Sequence, residues 1–224
     1  MISSGTNRAT ILGSKQKVRA IGELLEGQSA DPAFVSFCSR VSKVIQALGS
    51  ESADAIAVND SHQVRLFNWH RVSSFRSHQS HQITEYRFIK VKYESKVDWR
   101  TKTDYLRCNP KFNGRPRFDF IIADCSQGCV FAQLVFVFIC RVSGQDHHLA
   151  LVQPLEKKSR ANTRSADKSL SISRWHIQAR NRCEVIHLDC IVRGAVLVAD
   201  TKYKGDYFVI DTLDDDMFLR VKSM

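Results

Sequence analysis

Between Arg117 and Lys222 the chain is a succession of short runs rich in β-branched and aromatic residues: RFDFII, FAQLVFVFICRV, HLALVQPL, EVIHLDCIVRGAVLV and YFVIDTLDDDMFLRV. Gly, Asp, Ser or Lys clusters bound each run, which is the signature of strands separated by turns. A strongly basic segment interrupts them and cannot pack as core. The pattern predicts a mainly β fold, a small closed barrel with one large loop, and favours a binding module over an enzyme. In Phe131 to Cys140, strict alternation would turn Ala132, Leu134, Phe136, Phe138 and Cys140 toward the interior and Gln133 to the other face.

With 224 residues, 43% of them hydrophobic, the chain can bury a core. Its longest apolar run, Val130 to Cys140, is broken by Gln133 and suits a buried strand better than a membrane span, so no membrane partner is expected. The opening MISSGTNRATILGSKQKVRA has no charged segment leading into an apolar one. An intracellular location is the expectation, and for a nucleic-acid partner a nuclear one. Seven cysteines at irregular spacing do not form a disulfide framework. Cys140 and Cys190 lie in apolar runs, where Cys behaves as a small hydrophobe. Cys125 and Cys129, with His147 and His148 beyond the next strand, are the one set resembling metal ligands, but their spacing fits no common zinc motif. Ser126, Gln127 and Gly128 read instead as a hairpin turn, His147 and His148 as part of a loop after Gly144, and no metal or cofactor is expected.

Net charge is +10 and unevenly placed. Residues 1 to 60 carry six basic and six acidic groups, residues 61 to 124 thirteen and six, and residues 125 to 224 fourteen and eleven. From Gln153 to Arg182 the basic residues Lys157, Lys158, Arg160, Arg164, Lys168, Arg174, Arg180 and Arg182 face only Glu156 and Asp167. Such a concentration neutralises phosphates by counterion release, which makes DNA or RNA the natural partner; a solvated loop that keeps the chain soluble is the plainer alternative. Trp175, between Arg174 and His176, is a candidate to stack on an unpaired base or to pack the loop, 156 to 182, onto the barrel. A second basic segment, HQVRLFNWHRVSSFRSHQSHQ, interleaves Arg65, Arg71 and Arg76 with aromatic residues, as a single-strand or RNA surface does.

The first fifty residues read as a helical extension. Asp31 and Pro32 supply an N-cap and a first-turn proline, and Phe34, Phe37, Cys38, Val41, Val44, Ile45 and Leu48 recur at helical spacing up to Gly49. A weaker helix is expected from Ser14 to Glu26, with Val18, Ile21 and Leu25 on one side, and the pair would form a hairpin. The polar stretch Ser50 to Ala57 marks a boundary, with the β domain running from 58 to 224. Asn109, Pro110, Asn113, Gly114 and Pro116 predict a turn-rich entry to it, and Lys111, Arg115 and Arg117 on that turn are further candidates to touch phosphate.

YESKVDWRTKTDYLRCNPKFNGRPRFDFIIA, followed by FAQLVFVF, LALVQPL, IVRGAVLV and FVIDTLDDDMFLRV, resembles a C-terminal region of transposase-like proteins from mobile elements of mushroom-forming (basidiomycete) fungi, over about residues 83 to 222. The same order of blocks is remotely similar to the bromo-adjacent homology (BAH) domain, an SH3-like barrel associated with chromatin, with Pro154 and Ile191, Val192, Arg193 and Gly194 standing at its proline and Ile-x-Gly features. The first resemblance implies a nucleic-acid context. The second implies binding of a histone or other acidic peptide, although LALVQ replaces the aromatic residues usual before that proline, which argues against a methyl-lysine cage. A nuclease would need carboxylates converging from separate elements, whereas Asp211, Asp214, Asp215 and Asp216 are sequence neighbours and read as a turn; Asp119, Asp124, Asp200 and Asp206 repeat no catalytic spacing.

Overall fold

The computed structural model describes residues 9–54, 82–125, 128–142, 144–157 and 173–224. In chain order the elements are β1 (Ala9–Ala20), α1 (Ile21–Gly27), α2 (Phe37–Asp54), β2 (Gln82–Glu94), β3 (Thr101–Phe112), β4 (Arg115–Phe118), β5 (Phe120–Cys125), β6 (Gly128–Val142), β7 (Gln145–Lys157), β8 (Arg174–Ile177), β9 (Glu184–His187), β10 (Ile191–Ala195), β11 (Leu197–Ala199), β12 (Asp206–Val209) and α3 (Asp215–Lys222). The protein is mainly β with helical segments near its N-terminus, α+β overall, as the strand-like runs imply.

The sheet does not close into a barrel. Its organising unit is the long β6–β7 hairpin, and each of these strands divides its outer edge between different partners. β6 pairs with β5 along 128–133 and with β2 along 137–141, while β7 pairs with β9 along 149–152 and with β8 along 155–157. An edge shared in this way forks the sheet, and the path from β11 through the hairpin to β4 ends on two separate edges. His147 and His148 lie inside β7, paired with Cys140 and Ile139, because the hairpin turn is tighter than the sequence suggested and centres on Gly144, with φ +82°.

The expected alternation in β6 holds only in halves. A register shift between Leu134 and Phe136 inserts an extra residue, and a bulge of this kind reverses which face the following side chains occupy. Ala132, Leu134 and Val137 therefore belong to a core on one side with Ile89, Leu106 and Ile121, while Phe136, Phe138 and Cys140 belong to a core on the other. Both faces are needed because both are covered.

The second of these cores is closed by the N-terminal helices. Phe34 and Phe37 meet Phe136 and Phe138 at centroid distances of 5.2 to 6.4 Å. Arg180 donates to both carboxylate oxygens of Asp31, at 3.0 and 2.9 Å, and Arg40 of α2 donates to the backbone carbonyls of Ala33 and Cys183. The expected Ser14 to Glu26 helix is corrected: residues 9–20 form β1, which pairs with β2 along its length, and the helix begins only at Ile21. Satisfying the free edge of β2 outweighs a weak helical preference. The run MFLRV is likewise a helix rather than a strand. Asp214 caps α3 by accepting from Met217 N at 2.7 Å, Asp215 and Asp216 fill its first turn, and Arg220 and Lys222 its last, in line with the helix dipole. Residues 109–110, expected in a turn, lie in β3; the turn itself is Asn113–Gly114, both with positive φ.

Candidate nucleic-acid interface

Most of the basic candidates divide between residues outside the described set and residues committed to the interior. Lys158, Arg160, Arg164 and Lys168 of the basic loop, Arg65, Arg71 and Arg76 of the second segment, and the Ser126–Gln127 turn all lie outside the described residues. Arg174 is buried: it pairs with Asp200, lies 3.6 Å from Asp206, and stacks on Phe208 with its guanidinium carbon 4.4 Å from the ring centre. Trp175 is 6% exposed, with its ring edge-on to Phe131 at 4.8 Å and its indole N–H donating to Ser173. Of the two roles open to Trp175, packing against the sheet is the one its ring occupies, which leaves no free face for a base. Arg180 is held by Asp31 and by Gln153 at 3.0 Å, and it keeps the Asp31 carboxyl below the usual carboxylate range. Lys157 and Arg182 remain exposed.

The aspartates are equally committed. Asp214 binds Arg193 through both oxygens at 2.9 Å, and Asp216 accepts from Arg193 and Arg220, each at 2.7 Å, and from Lys96 N at 2.6 Å. Arg193 also lies 3.5 Å from Asp104 and 4.7 Å from the Tyr93 ring centre. The guanidinium holds Asp214 below its ordinary pKa; for Asp216, burial pushes upward but Arg220, Lys96 N–H and Arg193 together outweigh it. Burial raises Asp104 instead, and it pushes the Tyr93 hydroxyl up to about 12. This node ties β3, β10 and α3 together. Among the described residues no cluster of three or more His, Cys, Asp or Glu has metal-binding geometry.

An exposed surface lies on β1, β2, β3 and β4, and of its cations the sequence singled out those near the β3–β4 turn, Lys111, Arg115 and Arg117. Directly opposed residues share a face, so the register places Ile11, Lys90 and Tyr105 in one row, Lys92 beside Thr103 in the next, and Gly13, Phe88 and Arg107 in the row on the other side. The Lys90 ammonium stands 5.0 Å from the Tyr105 ring centre. Arg107 and Arg117 both lie over Phe112, at 5.0 and 5.3 Å. The reverse face of the same strands carries Leu12, Ile89, Val91 and Leu106 into the core. The absence of a Cβ at Gly13 lets the Phe88 ring lie across the β1 backbone, since a Cβ there would fall 2.1 Å from the ring and force it to turn aside. Tyr105 is 53% exposed. Asp119 pairs with the Arg117 guanidinium at 3.0 Å and accepts from the backbone N–H of Arg107 at 2.8 Å, which holds Arg117 against β3. Alternating polar residues on KVKYES and TDYLRCNPKF are a legible sign of an open face, but only the strand pairing joins rings and cations into one surface. No family model, curated protein or solved structure matches the chain.

Proposed function

We propose that the chain is a non-catalytic nucleic-acid-binding module that engages a single strand across the open face of β1, β2, β3 and β4. The observation that carries this is the pairing of rings with cations there: Tyr105 with Lys90, and Phe112 with Arg107 and Arg117, with Lys92 alongside. A base stacks on the exposed Tyr105 ring regardless of sequence, Phe112 is covered by the two guanidinium groups it positions, and the guanidinium and ammonium groups neutralise the phosphates. A pleated sheet supports this chemistry because it holds its rows about 5 Å apart and presents them on a flat, rigid surface. The exposed Lys157 and the basic segment that follows it add attraction at longer range.

Fluorescence anisotropy with labelled single-stranded RNA, single-stranded DNA and duplex DNA, at several salt concentrations, tests the proposal. Single strands should bind more tightly than duplex. Replacing Lys90, Lys92 and Arg107 together with Gln should reduce the salt slope by about 0.7 for each phosphate that is no longer neutralised. Tyr105→Ala should cost about 1–3 kcal/mol of binding with little change in slope. Binding that is unchanged in both variants, and abolished instead when Lys157, Lys158, Arg160 and Arg164 become Ser, would move the site to the basic loop.

A further inference from the structure

We infer that the cleft beside the β2–β3 turn is a subsite for one unpaired nucleobase, stacked on Trp99, with its phosphate at Lys96; this rests on the nucleic-acid reading above. The cleft, of about 490 Å³, is walled by Tyr93, Val192, Leu219 and Trp99 and rimmed by Glu94, Lys96 and Arg220. That volume is in the range of small-ligand sites.

Trp99 is unusual twice over. It is 73% exposed, and its φ of +56° puts a bulky side chain in the left-handed region, where such residues are rare. The turn imposes this conformation. Trp99 N donates to Ser95 O and Ser95 N to Arg100 O, both at 3.0 Å, while Lys96 N is fastened to Asp216 of the buried node. Strain held in place by its surroundings, at a position where the side chain gains no burial, points to a ring kept for a ligand.

The chemistry of the cleft selects that ligand. Tyr93 is already covered by Arg193 at 4.7 Å and Arg220 at 5.6 Å, so Trp99 is the single open aromatic plate and the cleft is not a cage for a cation. A cationic guest would also meet Lys96 and Arg220. Among the described residues, the Lys96 ammonium has no hydrogen-bond or ion-pair partner. A neutral heteroaromatic ring bearing phosphate suits this pair: Trp99 stacks and Lys96 meets the phosphate. The cleft lies at the end of the β2–β3 ladder, on the side of Tyr93, Val192 and Arg220 and across the strand pair from the open face. Glu94 and Thr101 are the last pair of the ladder that carries Lys90 and Tyr105, about 13 Å further along the strand at about 3.3 Å per residue.

The test compares wild type, Trp99→Ala and Trp99→Phe in anisotropy titrations with a short mixed-sequence single-stranded RNA and with the corresponding DNA, and follows tryptophan emission. The expected result is quenching on binding, an affinity loss of about 10- to 100-fold in Trp99→Ala, and near-complete retention in Trp99→Phe. Full-affinity binding by Trp99→Ala would overturn the subsite and leave the open face standing. Absence of binding by the wild type, or a Trp99-dependent affinity only for an acidic peptide, would overturn both. Because Trp99 is exposed, none of these variants should alter the melting transition by more than a few degrees, and urea denaturation checks that they remain folded.

Discussion

Removal of the Arg193 guanidinium should be among the most damaging single changes to this protein. In Arg193→Met the stem is kept and the charge is lost. The wild-type node balances Arg193 and Arg220 against Asp104, Asp214 and Asp216. Breaking a buried ion pair from one side costs about 3–5 kcal/mol, because the remaining charge is stranded. The partners do not contribute equally. Asp214 has a side chain 43% exposed, so water can take over its two bonds and its share is at most about 1 kcal/mol. Asp216 is 1% exposed and cannot be rehydrated, although Arg220 and Lys96 N–H still hold it. Loss of the guanidinium stacked on Tyr93 adds about 1 kcal/mol. With Asp216 still held by two donors its share falls below that range, to about 1–2 kcal/mol, and the sum is about 3–4 kcal/mol, or a fall in Tm of about 6–15 °C for a chain of this size. Urea denaturation should show a lower midpoint at an unchanged m-value. In the Arg193→Met background, Asp216→Asn should be less harmful than in the wild type by about 1–3 kcal/mol, because the stranded charge has already become a liability. A destabilisation below about 0.5 kcal/mol, or strict additivity of the two changes, would refute the node as a buried, coupled unit.

Acid should unfold the protein below about pH 4. Asp31, Asp214 and Asp216 have folded pKa values depressed below their unfolded value near 3.9, so the stability they contribute is present above that value and lost as pH falls through the folded ones. Asp104, raised by burial, acts in the opposite sense: its ionisation opposes folding above about pH 4. Stability measured from pH 3 to 7 checks the sign, and the gap between Arg193→Met and wild type should narrow at the acid end. Phe37→Ala should cost about 3–5 kcal/mol, as it opens a cavity among Phe34, Phe136 and Phe138; a calorimetric Tm unchanged within about 2 °C would contradict that packing. Phe136→Asp should abolish cooperative melting, since it buries an unpaired carboxylate. Trp99→Gly should raise stability by about 1 kcal/mol by relieving the left-handed backbone while weakening binding to single strands, a combination that a purely structural tryptophan would not give.

Local chemistry was sufficient for much of the fold. The spacing from Phe37 to Leu48 specifies most of α2, but Asp31–Pro32 cap only a 3-10 turn at Pro32–Phe34, and after Ser36, with φ +55°, α2 begins at Phe37 and runs past Gly49 to Asp54; the β-branched runs specify the strands, because periodicity acts within a few residues. Even α3, expected as a strand, has a local signature: three consecutive aspartates ahead of an Arg and a Lys form a cap and a dipole-matched helix as readily as a turn. Three things were decided only by tertiary structure. β1 became a strand because β2 had an edge to satisfy. The bulge at Leu134–Phe136 divided one alternating run between two cores, and sharing of the β6 and β7 edges forked a sheet that alternation alone would let close. The candidate site follows the same division. Composition marked the chain as basic, but which cations reach solvent depends on residues distant in sequence: Asp31 and Asp200 draw Arg180 and Arg174 inward, while cross-strand register brings Lys90 beside Tyr105 and Arg107 beside Phe88 on an open face. Charge is a property of each residue, whereas availability of that charge is a property of the fold.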